Sequence, residues 1–362
     1  MKYIPYLQFI LLSLLSCTTT NDSITINTQG YSDSTKVYLI DESANTIDSA
    51  YILKNIAALS SEVRKPTLFM LQIKNDQGYK IIWKENVPLI INVEKGNLKN
   101  ANVQGSKTQI QAELITTKIT KLEYINDSLF QLFKSLPIED SIRKMEIRAQ
   151  GLKVKQEIKD VNIDYIRNNP DQLYSAYILF SLMKRSLSKE ETGILYSNLS
   201  EKIKTSDYGK AVDSFIKMNK ELKIGDQAAE FELPDQNRNL VHLKDFKGKY
   251  LLLDFMSSGC GPCRLENPSL LKNYQLYKEK GFEIVSISFD TRKENWEKVI
   301  EKDSMIWTTV CDFKGSKSET AFAYNVSFMP TYFLIDPEGI ILDIYSGRGQ
   351  LDEKLKRIFT TK

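Results

Sequence analysis

The sequence CGPC at residues 260–263 decides the fold of the C-terminal part of this chain. It follows LLLDF at residues 251–255, an apolar run typical of a buried strand, and it precedes residues 264–280, which have a helical pattern. A thiolate at the first turn of a helix lies near unsatisfied N–H groups and the positive end of the helix dipole, and both lower the pKa of the thiol. Because the second cysteine follows three residues after the first, the two sulfurs can form a disulfide. We therefore expect a dithiol that takes part in redox exchange.

Length and composition bound the other possibilities. The chain has 362 residues, which favours two or three domains. It carries 49 basic and 46 acidic residues, and a net charge of +3 excludes the basic field with which proteins bind nucleic acid. The four cysteines (Cys17, Cys260, Cys263 and Cys311) are too few for a scaffold held together by disulfides.

The N-terminal segment has the pattern of a signal peptide, which we place at residues 1–16. Lys2 gives a positive start, and the apolar stretch at residues 6–15 is too short to span a bilayer comfortably. The small residue before Cys17 makes the segment similar to a bacterial lipobox, which implies a lipid on Cys17 and a polar tether at residues 17–23. The alternative is an ordinary signal peptide, or a short anchor, with an incidental cysteine. Both place the rest of the chain outside the cytoplasm, where a CxxC pair meets disulfides more often than metal.

Two further regions precede the CGPC region. Residues 24–105 are β-rich and predict a small all-β, sandwich-like domain, whereas residues 106–223 have a helical period and predict a helical connector. The β-rich runs cover residues 24–26, 36–40, 67–73, 79–83 and 89–93. The helical runs extend from residue 106 to Pro137 and then cover residues 141–168, 172–184, 189–200 and 208–223.

Residues 224–362 alternate strands and helices, which predicts an α/β domain with a central sheet and helices on both faces. This region resembles the thioredoxin fold, and more closely the TlpA/ResA-like thiol–disulfide oxidoreductases of bacterial envelopes. The motifs that carry the resemblance occur in the expected order: GK at 248–249, DF at 254–255, CGPCRLENP at 260–268, FMPT at 328–331 and IDPEG at 335–339. Residues 24–223 are similar to the β-rich domain and connector that precede such a domain in lipoproteins of Gram-negative bacteria, for which the resemblance implies no activity.

The resemblance implies a role for each cysteine of the motif. Cys260 is the expected nucleophile that attacks a substrate disulfide, and Cys263 is the expected resolving thiol. The alternatives are a structural disulfide or half of a zinc site. Zinc needs four ligands, and the chain has one histidine, His242, and no second CxxC. We therefore predict no metal and no cofactor.

Three more residues complete the predicted site. Pro330 matches the cis-proline that faces the disulfide in the family. Asp254 stands where thioredoxins carry a buried acid, whose raised pKa would let it accept the proton of the resolving cysteine. Glu266, three residues after Cys263, matches a glutamate that tunes the cysteines in ResA-like members; the alternative is a residue on a solvated helix face.

Two positions need separate comment. Most relatives have a tryptophan just before the first cysteine, and this chain has Gly259. The missing ring should expose the sulfurs and remove part of the surface that contacts substrate, without affecting the thiol chemistry. Cys311 is expected to be a small buried hydrophobic residue, with an extra resolving thiol as the alternative.

The predicted function is an envelope-anchored enzyme that reduces protein disulfides. Gly261-Pro262 is the dipeptide of reducing thioredoxins, and reduction in an oxidising compartment requires electrons, for which we expect a membrane thiol transporter. Apocytochrome thiols during cytochrome c biogenesis, misoxidised envelope proteins of the periplasm and a dedicated partner all fit as substrates. One alternative is a peroxidase of the same fold, for which Ser257 fits the pattern and Leu253 stands where a proline is needed. Another is a lipoprotein without enzymatic activity whose β domain binds a partner.

Overall fold

The computed structural model describes residues 21–42, 45–346 and 351–360. The predicted signal peptide at residues 1–16 and the predicted lipidation site Cys17 lie outside these residues. The chain divides into two compact units, Met1–Ile110 and Gln111–Lys362. Across the described ranges, no helix combines the length and the apolar character that a membrane span requires.

The N-terminal unit is a β-sandwich of two four-stranded sheets, in agreement with the predicted fold class. One sheet has the strand order β4-β1-β7-β8 and the other β3-β2-β5-β6. Both contribute to one apolar core, which includes Ile24, Leu39 and Ile91. The strands are β1 (Ser23–Gln29), β2 (Lys36–Asp41), β3 (Thr46–Tyr51), β4 (Ile56–Ser60), β5 (Thr67–Ile73), β6 (Lys80–Lys84), β7 (Leu89–Glu94) and β8 (Asn102–Gln104).

Five of these strands coincide with the β-rich runs of the sequence, whereas β3, β4 and β8 were not predicted. Strand β3 contains no fully buried residue, so it lacks the alternation that identifies a half-buried strand. Strand β4 buries only Ala57 and Leu59. These strands form because their neighbours supply the hydrogen bonds of the sheet.

Helices follow the sandwich. They are α1 (Lys107–Ser135), α2 (Ser141–Asn168), α3 (Leu173–Met183), α4 (Lys189–Asn198), α5 (Glu201–Lys204) and α6 (Asp207–Met218). The run predicted at residues 189–200 ends at Asn198, because Leu199 and Ser200 have extended backbone, and the run predicted to reach residue 223 ends at Met218. It ends there because Asn219 leaves the helical conformation and its side chain accepts a hydrogen bond from the Glu221 N–H at 2.7 Å.

The C-terminal part contains a five-stranded mixed sheet in the order β13-β12-β11-β14-β15. Strands β11, β12 and β13 are parallel to one another, and β14 and β15 are antiparallel to their neighbours. A two-stranded sheet of β9 and β10 precedes it. The elements are β9 (Glu232–Pro234), β10 (Leu240–His242), β11 (Tyr250–Met256), α7 (Gly261–Tyr277), β12 (Phe282–Ser288), α8 (Lys293–Lys302), β13 (Thr308–Cys311), α9 (Glu319–Ala323), β14 (Thr331–Ile335), β15 (Ile341–Tyr345) and α10 (Leu351–Thr360).

The mixed sheet has an apolar core on each face, as the alternation of strands and helices predicts. Helices α7, α8 and α10 contribute to the core on one face. Helix α9, β9 and the segment before β9 contribute to the core on the other face. Strand β11 lies in the middle of the sheet and leads directly into the loop before α7, so the sheet fixes the position of the CGPC motif.

Candidate active site

Cys260 and Cys263 form a disulfide at the N-terminus of α7, with their Cα atoms 5.3 Å apart. Cys260 is the N-cap residue of the helix, and its Sγ accepts a hydrogen bond from the Cys263 N–H at 3.2 Å. The Cys260 side chain is half-buried, whereas Cys263 is only 1% exposed. Cys260 is therefore the more accessible of the two sulfurs, and the N–H bond can stabilise its thiolate after reduction.

The loop between β11 and α7 is fixed by a buried carboxylate. Asp290 accepts hydrogen bonds from the Ser258 N–H at 2.9 Å and from its hydroxyl at 2.5 Å. The Ser288 hydroxyl donates to the same carboxylate at 2.7 Å. Next to Ser258, Gly259 is exposed, and a Cβ atom added there would meet no atom within 4 Å. The loop is thus held in place while the surface beside Cys260 stays open.

Pro330 lies at the start of β14, and the Met329–Pro330 peptide bond is cis, which is the geometry that the sequence predicts. Met329 and Cys260 both pack against the core cluster that contains Cys263, so the prolyl loop and the dithiol lie on the same side of the domain. The Thr331 hydroxyl donates to the Phe328 carbonyl at 2.8 Å and holds the turn. The contribution of Pro330 to the reaction stays a prediction.

Asp254 is a buried acid on β11, only 1% exposed. Its Oδ2 accepts a hydrogen bond from the Ser286 hydroxyl at 2.6 Å, and Trp307 Nε1 donates to that hydroxyl at 2.8 Å. Burial raises the pKa of Asp254 to about 7, the bond from Ser286 opposes the rise, and the charge of Glu266 adds to it. An acid with this pKa can both take up and release a proton near neutral pH.

Glu266 lies on α7, one helical turn after Cys263, and is half-buried. Its charge raises the pKa of Asp254. The structure thus brings the two predicted acids into electrostatic contact on the face of the sheet that also holds Cys263. Their catalytic roles stay predictions.

An ion pair that the sequence analysis missed fixes the first turns of α7. Arg264 donates to Asp303 through Nε at 2.9 Å and through a terminal nitrogen at 2.6 Å, and Asn267 Nδ2 donates to the same carboxylate at 3.0 Å. The Arg264 guanidinium lowers the pKa of Asp303. These bonds attach the cysteine-bearing end of α7 to the end of α8. Arg264 and Asp303 are separated by 39 positions in the sequence, so no local pattern indicates the pair.

The remaining candidates lie outside the dithiol site. Cys311 is fully buried, its Sγ donates to the Asp290 carbonyl at 3.3 Å, and burial raises the pKa of its thiol to about 12. This environment fits the small buried residue that we expected and not a reactive thiol. His242 lies on β10 with Nδ1 3.6 Å from a Glu232 carboxylate oxygen. Within the described ranges, no three His, Cys, Asp or Glu side chains form a group that could hold a metal ion.

Comparison with known proteins identifies relatives of both parts of the chain. Residues 224–344 match the AhpC/TSA family, and residues 23–111 match a domain of unknown function, DUF4369. The thiol-disulfide oxidoreductase ResA of Bacillus cereus is 32% identical over 147 residues, which cover 40% of this chain and 83% of the relative. ResA of Bacillus subtilis is 32% identical over 123 residues, 34% of this chain and 67% of the relative. The thioredoxin domain of a thiol-disulfide oxidoreductase from Bacteroides vulgatus is 38% identical and covers 38% of this chain and 98% of its own, with a TM-score of 0.36.

Proposed function

The chain belongs, through its C-terminal domain, to the family of thiol-disulfide oxidoreductases that includes ResA, and on this premise we propose that it reduces disulfide bonds of proteins outside the cytoplasm. The observation that carries the proposal is the pairing of a half-buried Cys260 with a buried Cys263 at the N-terminus of α7. An accessible nucleophile and a shielded resolving thiol suit a substrate as large as a protein.

The reaction follows from the positions of the two sulfurs. In the reduced protein, the Cys260 thiolate attacks one sulfur of the substrate disulfide, and the first substrate thiolate leaves and takes a proton from solvent. Cys263 then gives its proton to Asp254 and attacks Cys260 Sγ. The second substrate thiolate leaves, and the Cys260–Cys263 disulfide forms. Two electrons pass from the dithiol to the substrate, and a thiol donor must return them before the next cycle.

The proposal also covers the direction of the reaction and the location of the domain in the cell. The direction is reduction, because Gly261-Pro262 separates the cysteines as in reducing thioredoxins, and a membrane thiol transporter would supply the electrons. The lipid on Cys17 would hold the domain at a membrane surface of the envelope, facing the periplasm. Thiol trapping in cells tests the direction: a Cys260–Cys263 pair that is always oxidised would contradict a reductase.

A trapping experiment tests the exchange itself and identifies the substrate. In a Cys263→Ser variant, the mixed disulfide between Cys260 and the substrate cannot be resolved, so it accumulates and its partner can be identified by mass. The double variant Cys260→Ser/Cys263→Ser is the matched control and should trap nothing. Apocytochromes, misoxidised envelope proteins and one dedicated partner would give different captured sets. Equal material from both variants would contradict disulfide exchange.

The peroxidase alternative has less support from the site. Leu253, which occupies the position of the proline that peroxidatic sites need, is buried inside β11. Cys260 also pairs with a cysteine three residues away, whereas the peroxidase pattern needs no CxxC. Consumption of hydrogen peroxide at a rate above that of disulfide reduction would reverse this preference.

A further inference from the structure

A row of polar side chains crosses the central sheet on the same face as Cys263. In the strand register, Asp254 lies opposite Ser286 on one side and opposite Tyr332 on the other, and Tyr332 lies opposite Tyr345. Residues paired in this way point to the same face of a sheet. We call these four residues the polar row. Apolar neighbours such as Leu252, Ile284 and Leu334 lie on the same face, and so do the buried polar residues Ser288 and Asp343.

Three buried atoms of the polar row have no hydrogen-bond partner among the described residues: Asp254 Oδ1, the Tyr332 hydroxyl and the Tyr345 hydroxyl. The two tyrosine rings stack with their centroids 5.1 Å apart. Buried polar atoms in folded proteins are almost always hydrogen-bonded, and an internal water that joins several of them is a common solution. The three atoms lie on adjacent strands, in the order in which a chain of hydrogen bonds would join them.

The charges around the polar row keep the hydroxyls of Tyr332 and Tyr345 protonated, so that they can donate hydrogen bonds. Burial raises the pKa of both tyrosines, and the negative charge of Asp254 adds to the rise. Both therefore stay protonated at physiological pH. Glu266 from α7 adds to the rise for all three titratable groups, and Asp352 from α10 adds to it for Tyr345. The same face of β15 also carries the buried Asp343, which is paired with Lys354 from α10.

We propose that Tyr332 and Tyr345 carry protons between Asp254 and the edge of the sheet. The proposal rests on the disulfide reduction proposed above, in which Asp254 takes a proton from Cys263 and then either exchanges it with solvent or returns it to Cys263 when the disulfide is reduced again. Asp254 itself is 1% exposed, whereas Tyr345 lies on the edge strand β15 and is partly exposed as a residue. Its hydroxyl is buried, so the last transfer to solvent runs through a water at the edge of the sheet. Each hydroxyl oxygen accepts one proton as it releases its own, so one proton reaches solvent and nothing is oxidised or reduced. Glu266 is the alternative group through which the proton of Asp254 could reach solvent.

The kinetic test uses the full chain, insulin as the disulfide substrate and dithiothreitol as the reductant. Tyr332→Phe and Tyr345→Phe remove one hydroxyl each and keep the ring. We expect turnover to fall by about tenfold in each variant, and imidazole, a small proton carrier, to restore it. The control is Tyr324→Phe, which removes a buried hydroxyl that donates to the Ala229 carbonyl at 2.6 Å on the other face of the sheet. The control should retain its turnover and gain nothing from imidazole.

A second measurement does not depend on turnover. The pKa of the Asp254 carboxyl can be followed by 13C NMR in the oxidised protein. In the proposed path the Tyr332 hydroxyl donates toward the Asp254 carboxylate through a joining water, so its loss should raise the pKa of Asp254 by about half a unit or more. An unchanged pKa together with unchanged turnover would overturn the proton path. If the pKa of Asp254 differed between wild type and Tyr332→Phe but the wild type did not reduce insulin, the proposed function would be overturned. The hydrogen-bonded polar row would still stand.

Discussion

The two faces of the central sheet differ although they are built from the same strands. On the face toward α7, Asp254 and Tyr332 interrupt the apolar core and lie with Cys263. On the opposite face, Leu253, Phe255 and Phe333 belong to one apolar core. Successive residues of a strand point to opposite faces. On β11, Leu253 and Phe255 therefore pack in the apolar core, whereas Asp254 between them faces the side of the dithiol. The comparison indicates that one face supplies stability and the other carries a costly buried acid.

The largest effect is expected at the accessible cysteine. Cys260→Ser should lower the rate of disulfide reduction by at least about 1000-fold, because a serine hydroxyl stays protonated and cannot form a disulfide. Insulin reduction measures the rate. The matched control is Cys311→Ser, at a buried thiol of the same face, which should retain activity. If Cys311→Ser were inactive although folded, the reactive part of this face would extend beyond the CGPC motif.

The next effect concerns the apolar face. Phe255 has ring contacts with Phe289, Tyr324 and Phe333, at centroid distances of 6.1, 5.3 and 5.8 Å. Phe255→Ala should lower the free energy of unfolding by about 3–5 kcal/mol, because it removes buried area and leaves a cavity. Chemical denaturation measures the change. Phe255→Leu is the milder variant and should fold even if the alanine variant does not. A folded Phe255→Leu protein with strongly reduced activity would show that this face also takes part in the chemistry.

The sequence could predict the residues of each face that belong to local patterns. The apolar run of β11, the CGPC motif and Pro330 each lie within a few residues of the signal that identifies them. Tyr332 and Tyr345 could not be assigned a role, since they meet Asp254 only through the register of three strands. The pair Arg264–Asp303 has the same origin in tertiary structure. Strand β3 was not predicted because it forms through pairing with β2 and not through a pattern of its own buried side chains.

The buried acid should make the stability depend on pH. The pKa of Asp254 is about 7 in the folded protein, against about 4 in an unfolded chain. Between these values the unfolded state has released its proton and the folded state has kept it, so the free energy of unfolding falls as pH rises from 4 to 7 and stays low above 7. For the oxidised protein at pH 8–9, Asp254→Asn should therefore raise the free energy of unfolding by about 2–4 kcal/mol.

Asp303→Asn gives a control of opposite sign. Arg264 lowers the pKa of Asp303, so the stability that Asp303 contributes is present above its unfolded pKa and is lost as pH falls through the folded pKa. Urea denaturation at several pH values measures both variants. Equal pH dependence in wild type and Asp254→Asn would mean that Asp254 is not a destabilising buried acid, and the contrast between the two faces would disappear.

The smallest effect is expected at Gly259, beyond the end of β11, where the family resemblance leads us to expect a tryptophan. A Cβ atom added at Gly259 meets no atom within 4 Å, and the same holds for Gly193 on α4. Gly259→Trp should therefore change the free energy of unfolding by no more than about 0.5 kcal/mol. The added ring should cover part of Cys260 and slow its alkylation by iodoacetamide in the reduced protein by about twofold to fivefold, because access controls thiol reactivity. Gly193→Trp should leave alkylation unchanged. If the ring at position 259 did not slow alkylation, the exposure of Cys260 would depend on the loop held by Asp290 and not on the missing tryptophan.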